Sequence, residues 1–258
     1  MTTAGYAIVS LDDERWSTDA HVSLTSALGC TDTVVDAYRP PPGESIALPT
    51  ELEIACVPFD ADGTLEADGT LEADDSIPVP ANCVARVPAG VTARLRSDSA
   101  TTWLAVGAST NPAPSTDPPP STDPEPSTSP SVVDPATVTF APPSTSDIPT
   151  ARLTAQLGCT GMKVNLRRLA PGMAIPYHTE GTQEELFVPL GGPGALRVAG
   201  ETHHMPAHSV ARVAPAVPRA AANEGMDDRL WFMVGAPPTG GADDWDPGAV
   251  ILDWPADG

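Results

Sequence analysis

The stretch Gly172-Met173-Ala174-Ile175-Pro176-Tyr177-His178-Thr179-Glu180-Gly181-Thr182-Gln183-Glu184-Glu185-Leu186-Phe187-Val188-Pro189-Leu190-Gly191-Gly192 sets a polar strand against an apolar one. Residues i and i+2 of a strand share a face, so His178 and Glu180 project to the same side. After a polar turn the chain enters Leu186-Phe187-Val188-Pro189-Leu190, an apolar run of ordinary strand length. Similar short runs lie on either side: Met162-Lys163-Val164-Asn165-Leu166, Val210-Ala211-Arg212-Val213 and Leu230-Trp231-Phe232-Met233-Val234. Pro, Gly, Asp and Asn separate them, and none shows a sustained helical period. Short strands at regular spacing with turn signals predict an all-β sandwich or barrel.

The same pattern occurs earlier in the chain. Leu24-Thr25-Ser26-Ala27-Leu28-Gly29-Cys30-Thr31 returns as Leu153-Thr154-Ala155-Gln156-Leu157-Gly158-Cys159-Thr160. Val79-Pro80-Ala81-Asn82-Cys83-Val84-Ala85-Arg86-Val87 returns as Met205-Pro206-Ala207-His208-Ser209-Val210-Ala211-Arg212-Val213, and Trp103-Leu104-Ala105-Val106-Gly107-Ala108 as Trp231-Phe232-Met233-Val234-Gly235-Ala236. The offsets are 129, 126 and 128 residues. Two copies of one domain follow, each of about 100 residues, a common domain size. We place the first copy at 1–109, a linker at 110–131 and the second copy at 132–258. The linker, Asn111 to Pro130, is rich in Pro, Ser, Thr and Asp and cannot bury a core. It is expected to be a disordered or polyproline-like spacer. Inside the first copy, Asp62-Gly63-Thr64-Leu65-Glu66-Ala67 is repeated at once as Asp68-Gly69-Thr70-Leu71-Glu72-Ala73. Asp-Gly at the start of each unit predicts a duplicated hairpin tip.

The chain carries 34 Asp+Glu against 13 Lys+Arg, a formal charge of −21. Such charge keeps a protein soluble but strains its compact state by self-repulsion, which concentrated salt screens. The expectation is a halophilic, acidic, cytoplasmic protein. The negative field excludes nucleic acid and anionic membrane surfaces as partners. No apolar run approaches the ~20 residues of a membrane span. The N-terminal residues lack the pattern of a signal peptide. Cys30, Cys56, Cys83 and Cys159 form no C-x-x-C pair, and the equivalence of Cys30 and Cys159 favours packing over a disulfide.

The quoted stretch resembles the first motif of the cupin superfamily, G-x5-H-x-H-x3,4-E-x6-G. Gly172 and His178 fit, Glu180 stands in place of the second histidine, and Glu185 fits with Gly192. Glu184 with Gly191 fits as well; the apolar run after Glu185 favours Glu185. The second motif, G-x5-P-x-G-x2-H-x3-N, maps onto His208 to Asn223. Asn223 is kept, whereas His208, Ala214, Ala216 and Arg219 replace the two glycines, the proline and the histidine. The first copy keeps Pro88 and Gly90 and carries Ala93 in place of the histidine. The chain thus resembles a bicupin of haloarchaeal type. The resemblance implies two tandem jelly-roll β-barrels joined by the linker. In typical cupins three histidines and a glutamate hold a divalent transition metal.

The resemblance implies that His178, Glu180 and Glu185 face one another inside the second barrel. One imidazole and two carboxylates suit iron, manganese, nickel or zinc. Arg219 stays protonated and has no lone pair to donate, so it cannot replace the missing histidine as a ligand. Three readings stand. Arg219 forms a buried network with a glutamate in place of a metal; or His178, Glu180 and Glu185 hold a metal; or Arg219 and His178 bind a small anionic or sugar ligand without one. In the first copy Pro49 and Ile54 stand where His178 and Glu185 do, and only Glu51 matches Glu180, so that barrel reads as structural. Tyr177 and the tryptophans read as packing residues. His203, His204 and His208 read as solvent-exposed. The expected function is a small-molecule or metal-binding pocket in the second barrel. The alternative is a metal-dependent dioxygenase or isomerase using His178, Glu180 and Glu185. No catalytic residue is assigned. A homodimer or an intramolecular pairing of the barrels is the expected assembly.

Overall fold

The computed structural model describes residues 5–14, 19–68, 76–108, 128–143, 146–239, 246 and 248–255. Four antiparallel sheets stack in the order four, six, six and five strands. The first half pairs the four-stranded sheet with one six-stranded sheet, around a core that includes Ile54, Leu65, Val87, Leu95 and Trp103. The second half pairs the five-stranded sheet with the other, around Leu169, Phe187, Leu196, Val213 and Trp231. Among the described residues no sheet closes on itself. Each half is a jelly-roll barrel made of two facing sheets.

The two six-stranded sheets lie back to back. A third core fills the space between them, with Val35, Val57 and Val106 from one sheet and Val164, Val188 and Val234 from the other. Each of these sheets is therefore buried on both faces. This explains why Glu53–Pro58 and Glu184–Leu190 are buried at every residue and read as apolar runs without strict alternation.

The halves also exchange edge strands. Tyr6–Ser10 pairs with Ser209–Val213 of the second barrel, and Ser131–Val133 pairs with Val84–Val87 of the first. Residues counted in the first copy thus complete the second barrel's sheet. A segment that spans the end of the expected linker and the start of the second copy completes the first barrel's sheet. The rest of the linker, up to residue 127, lies outside the described residues, as do Trp16, Trp245 and residues 69–73 of the second hexapeptide.

The hexapeptide reading is corrected. Gly63–Ala67 is not a hairpin tip but a central strand between Ala93–Arg96 and Ser76–Val79. Its Asp-Gly start has a packing reason, because a Cβ at Gly63 would run into the ring of Trp103. Gly194 lies under Trp231 in the same way.

The repeated Leu-x-x-x-Leu-Gly-Cys-Thr block is a single helical turn, Thr25–Leu28 and Thr154–Leu157, too short to show a helical period. Gly29 at φ 68° and Gly158 at φ 73° end the turns in the left-handed conformation that glycine adopts most readily. Each turn delivers its Cys-Thr end to a buried glutamate of the other barrel. Glu184 accepts from Thr31 N at 3.1 Å, Asp32 N at 3.0 Å and Thr33 N at 2.8 Å. Glu53 accepts from Thr160 N at 3.0 Å and Gly161 N at 2.7 Å. Arg212 and Arg86 neutralise the two carboxylates at 2.7 and 2.6 Å.

All four cysteines are free thiols. Burial pushes Cys30 and Cys83 up to about 11, which makes them inert packing residues. No described helix is long and apolar enough to cross a membrane.

Candidate metal centre

His178 lies at the start of the short strand His178–Thr179, which pairs with Arg219 on one side and Ile251 on the other. A carbonyl oxygen can only accept, so the 2.8 Å contact to Pro176 O puts a proton on His178 Nδ1. That tautomer turns Nε2 toward Glu180 Oε1 at 3.2 Å and Glu185 Oε2 at 3.4 Å. Among the described residues these three form a cluster whose donor atoms all lie within 4.8 Å of one another. All three are buried.

The register of the glutamates is settled by the strand pairing. Glu185 stands opposite Gly235 and Val213 and faces the barrel interior. Glu184, one residue earlier, faces the other barrel and serves as the acceptor described above. The fit of Glu184 with Gly191 in the motif is therefore corrected. The alternation of a strand sends adjacent residues to opposite faces.

Arg219 is fully buried. Its Nε donates to Glu185 Oε2 at 2.9 Å, and its Nη1 donates to the carbonyls of Pro215 and Val217 at 2.6 and 3.1 Å. Burial raises the pKa of Glu185, but Arg219 and His178 outweigh it and hold the carboxyl well below its usual range. Burial opposes a charge on His178, yet its hydrogen bonds to Glu180 and Glu185 push its pKa up. Glu180 goes the other way. Burial raises its pKa, and among the described residues its buried Oε2 has no hydrogen-bond partner. An unmet buried acceptor is costly, and it points toward a cation or a donor.

The donor set fits a divalent metal. It offers one imidazole nitrogen with its proton fixed on the far side and two carboxylate oxygens, one of them unpaired. Arg219 donates to Glu185 Oε2, the same oxygen that faces His178, and gives no lone pair. The turn that follows Glu180 is clamped from the C-terminal segment. Asp246 Oδ2 accepts from the backbone of Gly181, Thr182 and Gln183 at 3.0, 2.9 and 3.1 Å. Asp246 is a site-supporting residue that the sequence reading missed, since nothing local marks it out.

In the first barrel the equivalent strand pairing puts Ile54 opposite Gly107, where Glu185 stands opposite Gly235. Ile54 and Ala93 are packed in an apolar core. His203, His204 and His208 do not converge. His203 Nε2 meets Tyr6 Oη at 3.1 Å. His208 joins Asp60 at 2.8 Å and Asp12 at 3.3 Å across the two halves, so it is a bridging residue and not a free surface histidine. At φ 53°, His208 holds the left-handed conformation expected at the motif's first glycine.

No protein-family model and no curated protein matches the sequence. Solved structures match over most of the chain. A cupin 2 conserved barrel domain protein from Leptotrichia buccalis superposes with a TM-score of 0.57 at 11% identity, covering 83% of this chain and 86% of its own. The chain has the cupin fold. Oxalate decarboxylase of Lactobacillus farciminis, in a formate complex, aligns as a whole with a TM-score of 0.66 at 10% identity, covering 95% of this chain and 88% of its own. A single-site mutant of the Bacillus subtilis oxalate decarboxylase gives 0.65 at 12% identity, covering 98% and 81%. At these identities the likeness is one of fold, and cupin barrels host many chemistries.

Proposed function

We propose that the second cupin barrel binds one divalent transition metal through His178 Nε2, Glu180 and Glu185, and that the first barrel is its structural partner. The observation that carries this reading is the convergence of the three donor groups, with Glu180 Oε2 buried and unpaired. Arg219 holds Glu185 ionised and fixed in orientation. Pro176 O holds the His178 ring. Asp246 anchors the turn after Glu180. A bound metal would supply Lewis acidity and open positions for an oxygen-bearing small molecule.

A second reading has its own support in the 2.9 Å Arg219–Glu185 bond. Here a proton on His178 takes the place of the metal, and the barrel interior is an ion network. Iron, manganese, nickel and zinc all suit the donor set. A dioxygenase or isomerase activity belongs to the metal reading alone.

Elemental mass spectrometry on the untagged protein in high salt separates the two readings. The metal reading predicts near-stoichiometric metal in the wild type and none in a His178→Ala/Glu185→Ala variant. Absence of metal in both after reconstitution overturns it.

A further inference from the structure

Arg167 and Trp231 are direct partners in the register of the strands Lys163–Leu169 and Arg229–Ala236. Both side chains point into the second barrel. Trp231 and Leu169 belong to its interior core, and Arg167 shares the face of Leu169. Arg167 Nε, Arg167 Nη1 and Trp231 Nε1 are all buried with no acceptor in the described protein. Three unmet donors on two adjacent residues depart from the rule that buried donors are satisfied.

The first barrel serves as an internal control. There Trp103 stands opposite Tyr38 in the same register, and its Nε1 donates to Ser97 Oγ at 3.1 Å. Asn223 holds the place of Ser97 in the second barrel. Its amide nitrogen turns away to the carbonyls of Leu169 and Asp227, both at 2.8 Å. The second copy has therefore gained a cation at the position of Tyr38 and lost the acceptor for its tryptophan.

We propose that Arg167 Nε, Arg167 Nη1 and Trp231 Nε1 form a binding site for a small carboxylate anion inside the second barrel. The neighbouring carboxylates do not meet this demand. Glu185 is engaged by Arg219 and His178. Glu180 is assigned to the metal, and in that respect the inference rests on the metal reading. Burial lowers the pKa of Arg167, while Glu185 and Glu180 favour its charge and nearby Arg152 opposes it. A metal would add two positive charges to the two guanidiniums, against two carboxylates. An anionic ligand balances that excess. The core residues that share this interior with Trp231, among them Leu169, Phe187 and Met233, are apolar and suit a short organic acid better than a fully hydrated ion.

The test uses the whole protein labelled with 15N-tryptophan, in its metal-loaded and metal-free forms. Acetate is titrated against sodium chloride at equal ionic strength. The Trp231 indole signal is assigned by its loss in Trp231→Phe. The proposal expects a saturable shift of that signal with acetate only. Arg167→Leu should abolish it. Arg167→Lys, which keeps the charge without the planar fork, should weaken binding roughly tenfold or more. Because Arg167→Leu removes two buried donors that have no acceptor, it should fold without loss of thermal stability. A saturable acetate shift in a protein that takes up no metal would support the carboxylate site and sink the metal reading alone. Equal responses to acetate and chloride would overturn the site and assign the donors to water. An undiminished shift in Arg167→Leu would overturn it too.

Discussion

Replacing Glu184 by Gln tests the reciprocal clamp that joins the barrels. Glu184 is fully buried. Its Oε1 accepts from Thr33 Oγ1, Thr33 N and Asp32 N at 2.7, 2.8 and 3.0 Å. Its Oε2 accepts from Arg212 Nε at 2.8 Å and from Thr31 N and Oγ1 at 3.1 Å. Glu184→Gln keeps the shape and the first set. It turns an amide NH2 toward Arg212 and Thr31, donor against donor, and leaves the buried guanidinium without a counter-charge. Breaking a buried pair in this way costs about 3–5 kcal/mol. At ~2–4 °C per kcal/mol for a chain of this size, the melting temperature should fall by ~6–20 °C. The assay is urea unfolding in high salt. Adding Arg212→Met to Glu184→Gln should recover much of the loss, because the stranded charge is gone. Glu53→Gln should cost a similar amount, since Glu53 receives Thr160, Gly161 and Arg86 in the same manner. A cost for Glu184→Gln below about 1 kcal/mol, where exposed pairs lie, would refute the reasoning.

Further outcomes follow from the same geometry. For Glu184 and Asp246, burial raises the pKa but the hydrogen bonds they accept lower it further, so both lie below their ordinary values. A depressed carboxyl contributes stability above its unfolded pKa and loses it as the pH falls. The unfolding free energy should therefore hold from pH ~7 to ~5 and decline below pH ~4. Asp246→Asn should flatten part of that decline; an unchanged pH profile in this variant would count against the Asp246 anchor. With a formal charge of −21, the protein should melt higher as salt shortens the screening length from ~10 Å at 0.1 M to ~3 Å at 1 M. A melting temperature that stays flat or falls over that range would contradict the self-repulsion argument. Arg219→His exchanges a guanidinium for a lone-pair donor and should tighten metal binding by at least about tenfold, or 1.4 kcal/mol, in a competitive chelator titration. Unchanged affinity would mean that position 219 does not face the metal.

The fold was legible because it is written twice. The three repeated blocks mark a helical turn, a crossover from the smaller sheet into a strand of the six-stranded sheet, and a central strand of that sheet in each half, and Gly172 and the His178 strand carry the cupin motif. Other features depend on contacts that sequence spacing does not encode. Tyr6–Ser10 looks like part of the first copy, but its hydrogen bonds go to Ser209–Val213, some 200 residues away. The Cys-Thr ends of the helical turns read as packing, because their acceptors Glu53 and Glu184 belong to the opposite barrel. At the site, strand alternation was enough to put His178 and Glu180 on one face. The choice between Glu184 and Glu185 needed the pairing of Glu185 with Gly235. Arg167 escaped notice because it sits among Lys163, Asn165 and Arg168 in a strand whose polar residues look solvated. Alternation puts Lys163, Asn165 and Arg167 on one face and Arg168 on the other, and the register opposite Trp231 shows that the first face is the interior one.

The most direct test of the metal assignment is a crystal soaked in manganese, with diffraction measured for anomalous scattering. The account predicts one strong anomalous peak within bonding distance of His178 Nε2, Glu180 and Glu185, with Arg219 still on Glu185. No peak there, and a His178–Glu180–Glu185 cluster unchanged by the soak, would contradict it.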